Sequence, residues 1–345
     1  MNHKKFDVVI GNPPYQEEAQ GSGTRDTPIY HQFMDAAYEV GTKAVLITPA
    51  RFLFNAGFTP KEWNAKMLAD PCLSVPHYVP NSNDLFPGTD IKGGIAVTYR
   101  DADREGEPIG TFTKHPELNS IEHKVTGAGG EALDGYITSS RSFRYLPSLY
   151  EDHPDLLALR PKGNEYLVET TAFSQFATVF HEQEPGDGCE YLRVLGITAR
   201  ARAYRWIRRE YFGGPESLEK FKVALPKSNG SGALGEPLSS PLVLEPQVGA
   251  TYTFITIGSF DAKVEAEACL KYIKTKFART LLGILKVTQH NPASAWKYVP
   301  LQDFTDGSDI DWAKPVPEID AQLYAKYGLD DSEIVFIESH VAPME

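Results

Sequence analysis

The chain opens with an apolar run, Phe6-Asp7-Val8-Val9-Ile10, closed by Gly11 and followed by Asn12-Pro13-Pro14-Tyr15. A short apolar run bounded by turn residues predicts a strand. After a polar loop from Glu17 to Thr27, Pro28 opens a pattern with Ile29, Phe33, Ala37 and Val40, which is helical spacing. Ala44 to Thr48, between Gly41 and Pro49, predicts a second, buried strand. Thr59-Pro60-Lys61-Glu62 predicts a helix start with a capping box and proline at the first helical position, and Asp70-Pro71 marks its stop. Val75 to Val79 and Ile95 to Tyr99 predict two more strands around the loop from Pro80 to Gly94. The order is strand, helix, strand, helix, strand, strand. Further on, Lys271 to Lys286 predicts one apolar helix with a basic rim. Asp320 predicts an N-cap for a helix from Ala321 to Tyr327 that stops at Gly328, before an apolar stretch from Ile334 to Ile337.

The chemistry concentrates where the first strand ends, because open α/β sheets bind ligands at the carboxyl ends of their strands. Pro13 and Pro14 remove two backbone donors and stiffen the turn, leaving carbonyl acceptors beside the Asn12 side-chain carbonyl. Two acceptors suit the two N–H donors of a planar amino group, and such bonds strengthen as its nitrogen becomes positive. Tyr15 offers an aromatic face for stacking, worth roughly 1 to 3 kcal/mol per base. That is on the scale of the few kcal/mol needed to flip a base out of a duplex. An ordinary strand-to-loop turn would use the same letters.

With its surroundings, Asn12-Pro13-Pro14-Tyr15 resembles the catalytic motif of S-adenosylmethionine-dependent amino-group methyltransferases, in particular the adenine-specific (N6) methylases of type II restriction-modification systems. Leu85 to Gly94, Ala50-Arg51-Phe52-Leu53-Phe54, Thr275 to Lys286 with Gln289 and Trp296-Lys297-Tyr298-Val299-Pro300, and Leu323 to Leu329 resemble further stretches of that family. The resemblance implies an α/β fold: a partial Rossmann-like methyltransferase sheet over residues 1–100, a connector over 101–150, a mixed α+β target-recognition domain over 151–302, and an acidic appendage over 303–345. It implies catalysis by Asn12, Pro13, Pro14 and Tyr15. Phe86 or Tyr99 would serve as a second stacking wall, unless either is core, and Arg51 would contact phosphate or structure its loop. S-adenosylmethionine would be the methyl donor, with no metal. The partners implied are double-stranded DNA and a restriction endonuclease.

The family's cofactor half carries a strand ending in an acidic, Gly-rich loop, and none precedes residue 6. Gly21-Ser22-Gly23 and Ser228-Asn229-Gly230-Ser231-Gly232 lack the preceding acidic residue. The expectation is therefore an upstream segment or separate chain that supplies this half, and a first strand left as an exposed edge without it. Two alternatives stay open: a non-catalytic DNA-recognition or partner subunit derived from such a methylase, or an enzyme acting on RNA or a protein amide.

Charge refines the picture. The net charge is −12, yet Asp303 to Glu345 holds eleven acidic and two basic residues, so the rest carries only −3. Between Arg193 and Lys227, nine basic residues stand against three acidic ones. That segment contains Arg200, Arg202, Arg205, Arg208 and Arg209 interleaved with aromatics, which predicts phosphate contacts or a solvated face. Cys72, Cys189 and Cys269 are isolated in sequence, as expected of reduced cytoplasmic thiols, and the nine histidines show no ligand spacing. No apolar run of about 18 residues predicts a membrane span.

Overall fold

A computed structural model describes residues 4–17, 27–54, 58–91, 93–286 and 288–344. Its chain separates into two units, Met1–Asn119 and Ser120–Glu345. The first is built on a four-stranded sheet of β1 (Phe6–Gly11), β2 (Gly41–Pro49), β3 (Leu73–Val79) and β4 (Ile95–Asp101), in the spatial order β1-β2-β4-β3. β1 runs parallel to β2, and β4 is antiparallel to both its neighbours. Every predicted strand is present, and the α/β class is borne out. The strands extend past their apolar runs because Gly41 to Lys43 and Arg100 to Asp101 still pair.

Helices α1 (Tyr30–Val40) and α2 (Lys61–Leu68) also form as predicted. The capping box at Thr59 does not. Asn64 N–H donates to Pro60 O, so Pro60 is the N-cap, and the Thr59 hydroxyl instead donates to Asn64 Oδ1 at 2.7 Å in a buried pair. Tyr30, Met34 and Ala37 of α1 pack with Phe52, Trp63, Met67, Leu46 and Leu73 into the unit's core.

β1 is the exception to this burial. It lies at the sheet edge with only β2 as partner among the described residues. Its alternate residues Phe6, Val8 and Ile10 are 57, 49 and 77% exposed, whereas Val9 turns toward the core. The expected exposed edge is therefore what the structure has.

The division between units falls within α3 (Pro116–Gly127). In the second unit, β5 (Ile137–Thr138), β8 (Phe221–Pro226), β9 (Leu242–Leu244) and β11 (Phe254–Phe260) form a sheet ordered β9-β8-β11-β5. A second sheet, ordered β7-β6-β10, joins the hairpin β6 (Tyr191–Thr198) and β7 (Ala201–Arg208) to β10 (Val248–Ala250). α4 (Lys263–Lys274) packs on β8 and β11.

The helix predicted from Lys271 to Lys286 is two. α4 ends before Thr275, whose hydroxyl accepts from Ala278 N–H and starts α5 (Lys276–Leu285). α6 (Val316–Lys326) begins four residues before Asp320, which is therefore inside a helix and not its N-cap. Buried, its carboxylate accepts the backbone N–H of Lys276 at 3.1 Å and of Phe277 at 2.9 Å. Asp320 caps after all, but it caps α5, across 43 residues of sequence. Gly328 ends α6 with φ +61°, as its position predicted, and Ile334 to Ile337 lie in α7 (Asp331–His340).

Candidate active site

The strand directions bring one set of loops together. β1 and β2 are parallel, so Asn12 and Arg51 follow their carboxyl ends. β4 is antiparallel, so the loop before it, with Asp90 and Ile91, arrives at the same end. There a cavity of about 570 Å³ is lined by Asn12, Pro13, Pro14, Tyr15 and Gln16, by Pro28 and Tyr30, by Pro49 and Arg51, and by Phe58, Asp90 and Ile91.

The Asn-Pro-Pro-Tyr turn is pinned at both sides. Gly11 pairs with Leu46 before it, while Tyr15 O accepts Ile29 N–H at 3.1 Å and Gln16 pairs with Pro28 after it. The side chain of Asn12 is therefore presented from a fixed backbone. Tyr15 is half-buried and packs on the first unit's core. Its hydroxyl is buried with no hydrogen-bond partner among the described residues, and burial raises its pKa above the ordinary phenol value. Tyr30 forms part of the floor. Burial pushes its hydroxyl up to about 12, against the pull of its hydrogen bond with Thr59 and the charge of Arg51.

The glycine pair of Leu85 to Gly94 is explained by crowding at this end of the sheet. Gly94 sits at φ +78° and its carbonyl accepts Ala50 N–H at 3.0 Å; a Cβ there would collide with Val79 O. Gly93, at φ +86°, leaves room for Arg51, whose Cγ would stand 3.0 Å from an added Cβ.

Of the residues singled out from sequence, the cavity gathers Asn12, Pro13, Pro14, Tyr15 and Arg51. It does not gather Phe86 or Tyr99. Phe86 precedes the lining residues Asp90 and Ile91 on their loop, half-exposed. Tyr99 lies opposite Val45, four residues along β4 from the cavity end, and donates its hydroxyl to Asp101 Oδ2 at 2.9 Å. Sequence reasoning passed over Tyr30, Phe58 and Asp90 as site residues. Their only signal was adjacency to elements that end at this side of the sheet.

The five arginines singled out from the sequence sit on the β6–β7 hairpin or, for Arg209, directly after it. Arg200 occupies its tip, where Ala199 and Arg200 form a two-residue loop with φ +49° and +67°. That geometry ordinarily calls for Asn-Gly or Asp-Gly. The other four have internal partners. Arg202 donates to the carbonyls of Ser239 and Ser240, Arg205 to Glu182 at 2.7 Å, Arg208 to Asp187 at 3.3 Å, and Arg209 to Glu219. These ion pairs are solvent-exposed, and exposed pairs are worth about 0 to 1 kcal/mol.

Two glycine-rich stretches were considered for cofactor. Gly21-Ser22-Gly23 lies outside the described residues. Ser228 to Gly232 wraps its own carboxylate: Glu236 accepts the N–H of Ser231 and Gly232 and pairs with Lys286. The carboxyl is held down at about 2, burial being outweighed by those bonds.

Residues 1–86 match the sequence model of the Eco57I restriction-modification methylase family. Over 108 residues the chain is 34% identical to an uncharacterized adenine-specific methylase of Mycoplasma pneumoniae, a match covering 30% of this chain and 26% of that protein. The resemblance to type II restriction-modification adenine methylases is borne out by these matches. Two solved structures superpose loosely. The type IIG restriction endonuclease BpuSI does so at 11% identity and TM-score 0.33, over 97% of this chain and 53% of its own. The type IIL restriction-modification enzyme MmeI, solved in complex with DNA, does so at 9% identity and TM-score 0.31, over 96% and 56%. The chain thus spans about a quarter of the curated relative it matches and about half of each solved structure. Among the described residues no helix is long and apolar enough to cross a membrane.

Proposed function

We propose that the first unit is the substrate half of a DNA adenine N6 methyltransferase, and that the second unit binds the DNA. The observation that carries this reading is the placement of Asn12-Pro13-Pro14-Tyr15, on a pinned turn, in the wall of a cavity at the carboxyl ends of two parallel strands. The match of residues 1–86 to a methylase family supports it.

The chain's own part is to capture and polarise an amino group. Asn12 Oδ1 and Pro13 O would accept its two N–H bonds, which draws the nitrogen lone pair out of conjugation with the ring and toward the incoming methyl. The partly buried Tyr15 ring walls the base. As the N–CH3 bond forms, the S–CH3 bond of the donor would break with its electron pair returning to sulfur as a neutral thioether, and one amino proton leaves to solvent. The acceptors favour that nitrogen while it is positive.

S-adenosylmethionine, when bound, supplies a methyl group already activated as a sulfonium. The described loop Ser228 to Gly232 is filled by Glu236 and does not fit this donor. The donor site therefore belongs to a neighbouring segment or chain, docked on the exposed edge and apolar face of β1. Unpaired strand edges with apolar side chains recruit such partners.

The test is transfer of tritium-labelled methyl to duplex DNA by the chain together with that neighbour, followed by digestion to nucleosides. Label in N6-methyladenine supports the reading. Label in RNA or in protein glutamine instead assigns the same cavity to another planar amino or amide group.

A further inference from the structure

The second unit holds a cavity of about 510 Å³ with a polar lining. Ser139, Ser140, Lys227, Tyr252, His290, Asn291 and Ser294 provide its polar groups, and no carboxylate lines it. Three of its segments are tied together by backbone bonds. Lys227 N–H donates to Thr253 O at 2.9 Å, and Asn291 N–H donates to Lys227 O at 2.8 Å.

Asn291 is the informative residue. It is 1% exposed, and its Oδ1 accepts the indole N–H of Trp296 at 2.8 Å. An indole can only donate, so the oxygen must face Trp296 and the amide Nδ2 faces the other way. That Nδ2 is buried with no partner among the described residues. A buried, unpaired donor costs about 1 to 3 kcal/mol unless something accepts from it.

Two cations flank the lining residue Tyr252. Lys227 Nζ lies 2.9 Å from the Tyr252 ring centre, and the Arg141 guanidinium covers the same ring at 5.3 Å. Their field is visible in the Tyr252 phenol, which is pulled below its ordinary pKa first by a hydrogen bond from Lys227 and further by Arg141. Cations, an amide donor and hydroxyls without a carboxylate make a receptor for an acceptor-rich anion.

We infer that this cavity seats one backbone phosphate of double-stranded DNA, held by Lys227 and the Asn291 amide. The inference rests on the reading of the second unit as the DNA-binding part. It places a contact there independently of the arginine hairpin.

The test uses the full chain and a fluorescent duplex, with affinity measured against salt. Each phosphate contact contributes a slope of about −0.9 in log affinity against log salt. Lys227→Gln should flatten the slope by about one and weaken binding several-fold at low salt. Ser294→Asp, on the exposed rim, should weaken binding at least as much while leaving the buried contacts untouched. It keeps the test valid if Lys227→Gln fails to fold. An unchanged slope and affinity in Ser294→Asp overturns the site. If the unaltered chain binds no duplex at all, the DNA-binding reading falls, and this inference with it. A phosphorus NMR titration with inorganic phosphate separates the two sources of the anion. Saturable phosphate binding that Lys227→Gln abolishes, with duplex affinity unmoved, would assign the cavity to free phosphate and overturn the DNA contact.

Discussion

β1 and β8 are both six-residue strands rich in apolar side chains, and the protein treats them differently. β8 has a strand on either side and α4 across it, and its Val223, Ala224 and Leu225 are buried. β1 has one neighbour, and three of its large side chains face outward. Burying such a side chain is worth roughly 1.5 to 3 kcal/mol, so the second unit collects that stabilisation internally while the first leaves it to be gained on association. The exposed strand is also the one that delivers Asn12. Site and exposed edge share an element, so the neighbour proposed to dock on β1 would reach the cavity.

The largest expected effect breaks the site while sparing the rest. Asn12→Ala removes an acceptor from the amino group and should lower methyl transfer by about 100-fold or more, the scale of losing one preorganised hydrogen bond to developing charge. DNA affinity, set mainly by phosphates, should stay within about twofold. Tyr15→Ala should be milder in rate. Full turnover in Asn12→Ala would end the catalytic assignment.

The edge comes next. The 345-residue chain alone should show no micromolar binding of S-adenosylmethionine by isothermal titration, and adding the neighbour should create that site and raise solubility together. Val8→Lys, on the exposed face of β1, should weaken the association at least tenfold without altering the fold of the isolated chain. Stoichiometric micromolar binding by the monomer would show that the donor site lies within this chain.

The arginine hairpin sharpens the comparison from the side of the second unit. Arg205, Arg208 and Arg209 already have carboxylate partners, but exposed pairs are weak enough to exchange for phosphate. Neutralising all three should flatten the salt slope by about two and lower duplex affinity about tenfold. An unaltered slope leaves the hairpin as a solvated face.

What could be read in advance follows the range of the interactions. The four strands of the first unit were legible because each is a short apolar run between Gly, Pro or polar residues, and the turn at Asn12 because two prolines dictate it locally. Thr59 misled because the capping pattern fits equally well one residue from where the helix starts, and the Asn64 side chain competes for its hydroxyl. The break at Thr275 carries neither Gly nor Pro and is set by a hydroxyl cap within the chain's apolar face. Asp320 was recognised as a capping residue and assigned to the wrong helix, because its partners Lys276 and Phe277 are brought to it only by tertiary packing. Asp90 and Phe58 entered the cavity for the same reason.

Asp320 also gives the smallest and most specific prediction. Burial pushes its carboxyl up to about 6, against the opposing effect of the two N–H bonds from Phe277 and Lys276. A group whose folded pKa is raised contributes stability that is full below its unfolded pKa and is lost as pH rises through the folded value. For Asp320 the window runs from about 4 to about 6.5, the opposite direction to Glu236 and Asp330, whose carboxyls are held down at about 2. Asp320→Asn keeps one acceptor for α5 and removes the titration. The thermal midpoint of the natural chain relative to Asp320→Asn should therefore be highest near pH 4 and fall by a few degrees toward pH 6.5, while titrations common to both chains cancel. A difference that is flat across this window, or that rises with pH, would mean that the bonds to α5 outweigh burial and that Asp320 is an ordinary ionised cap.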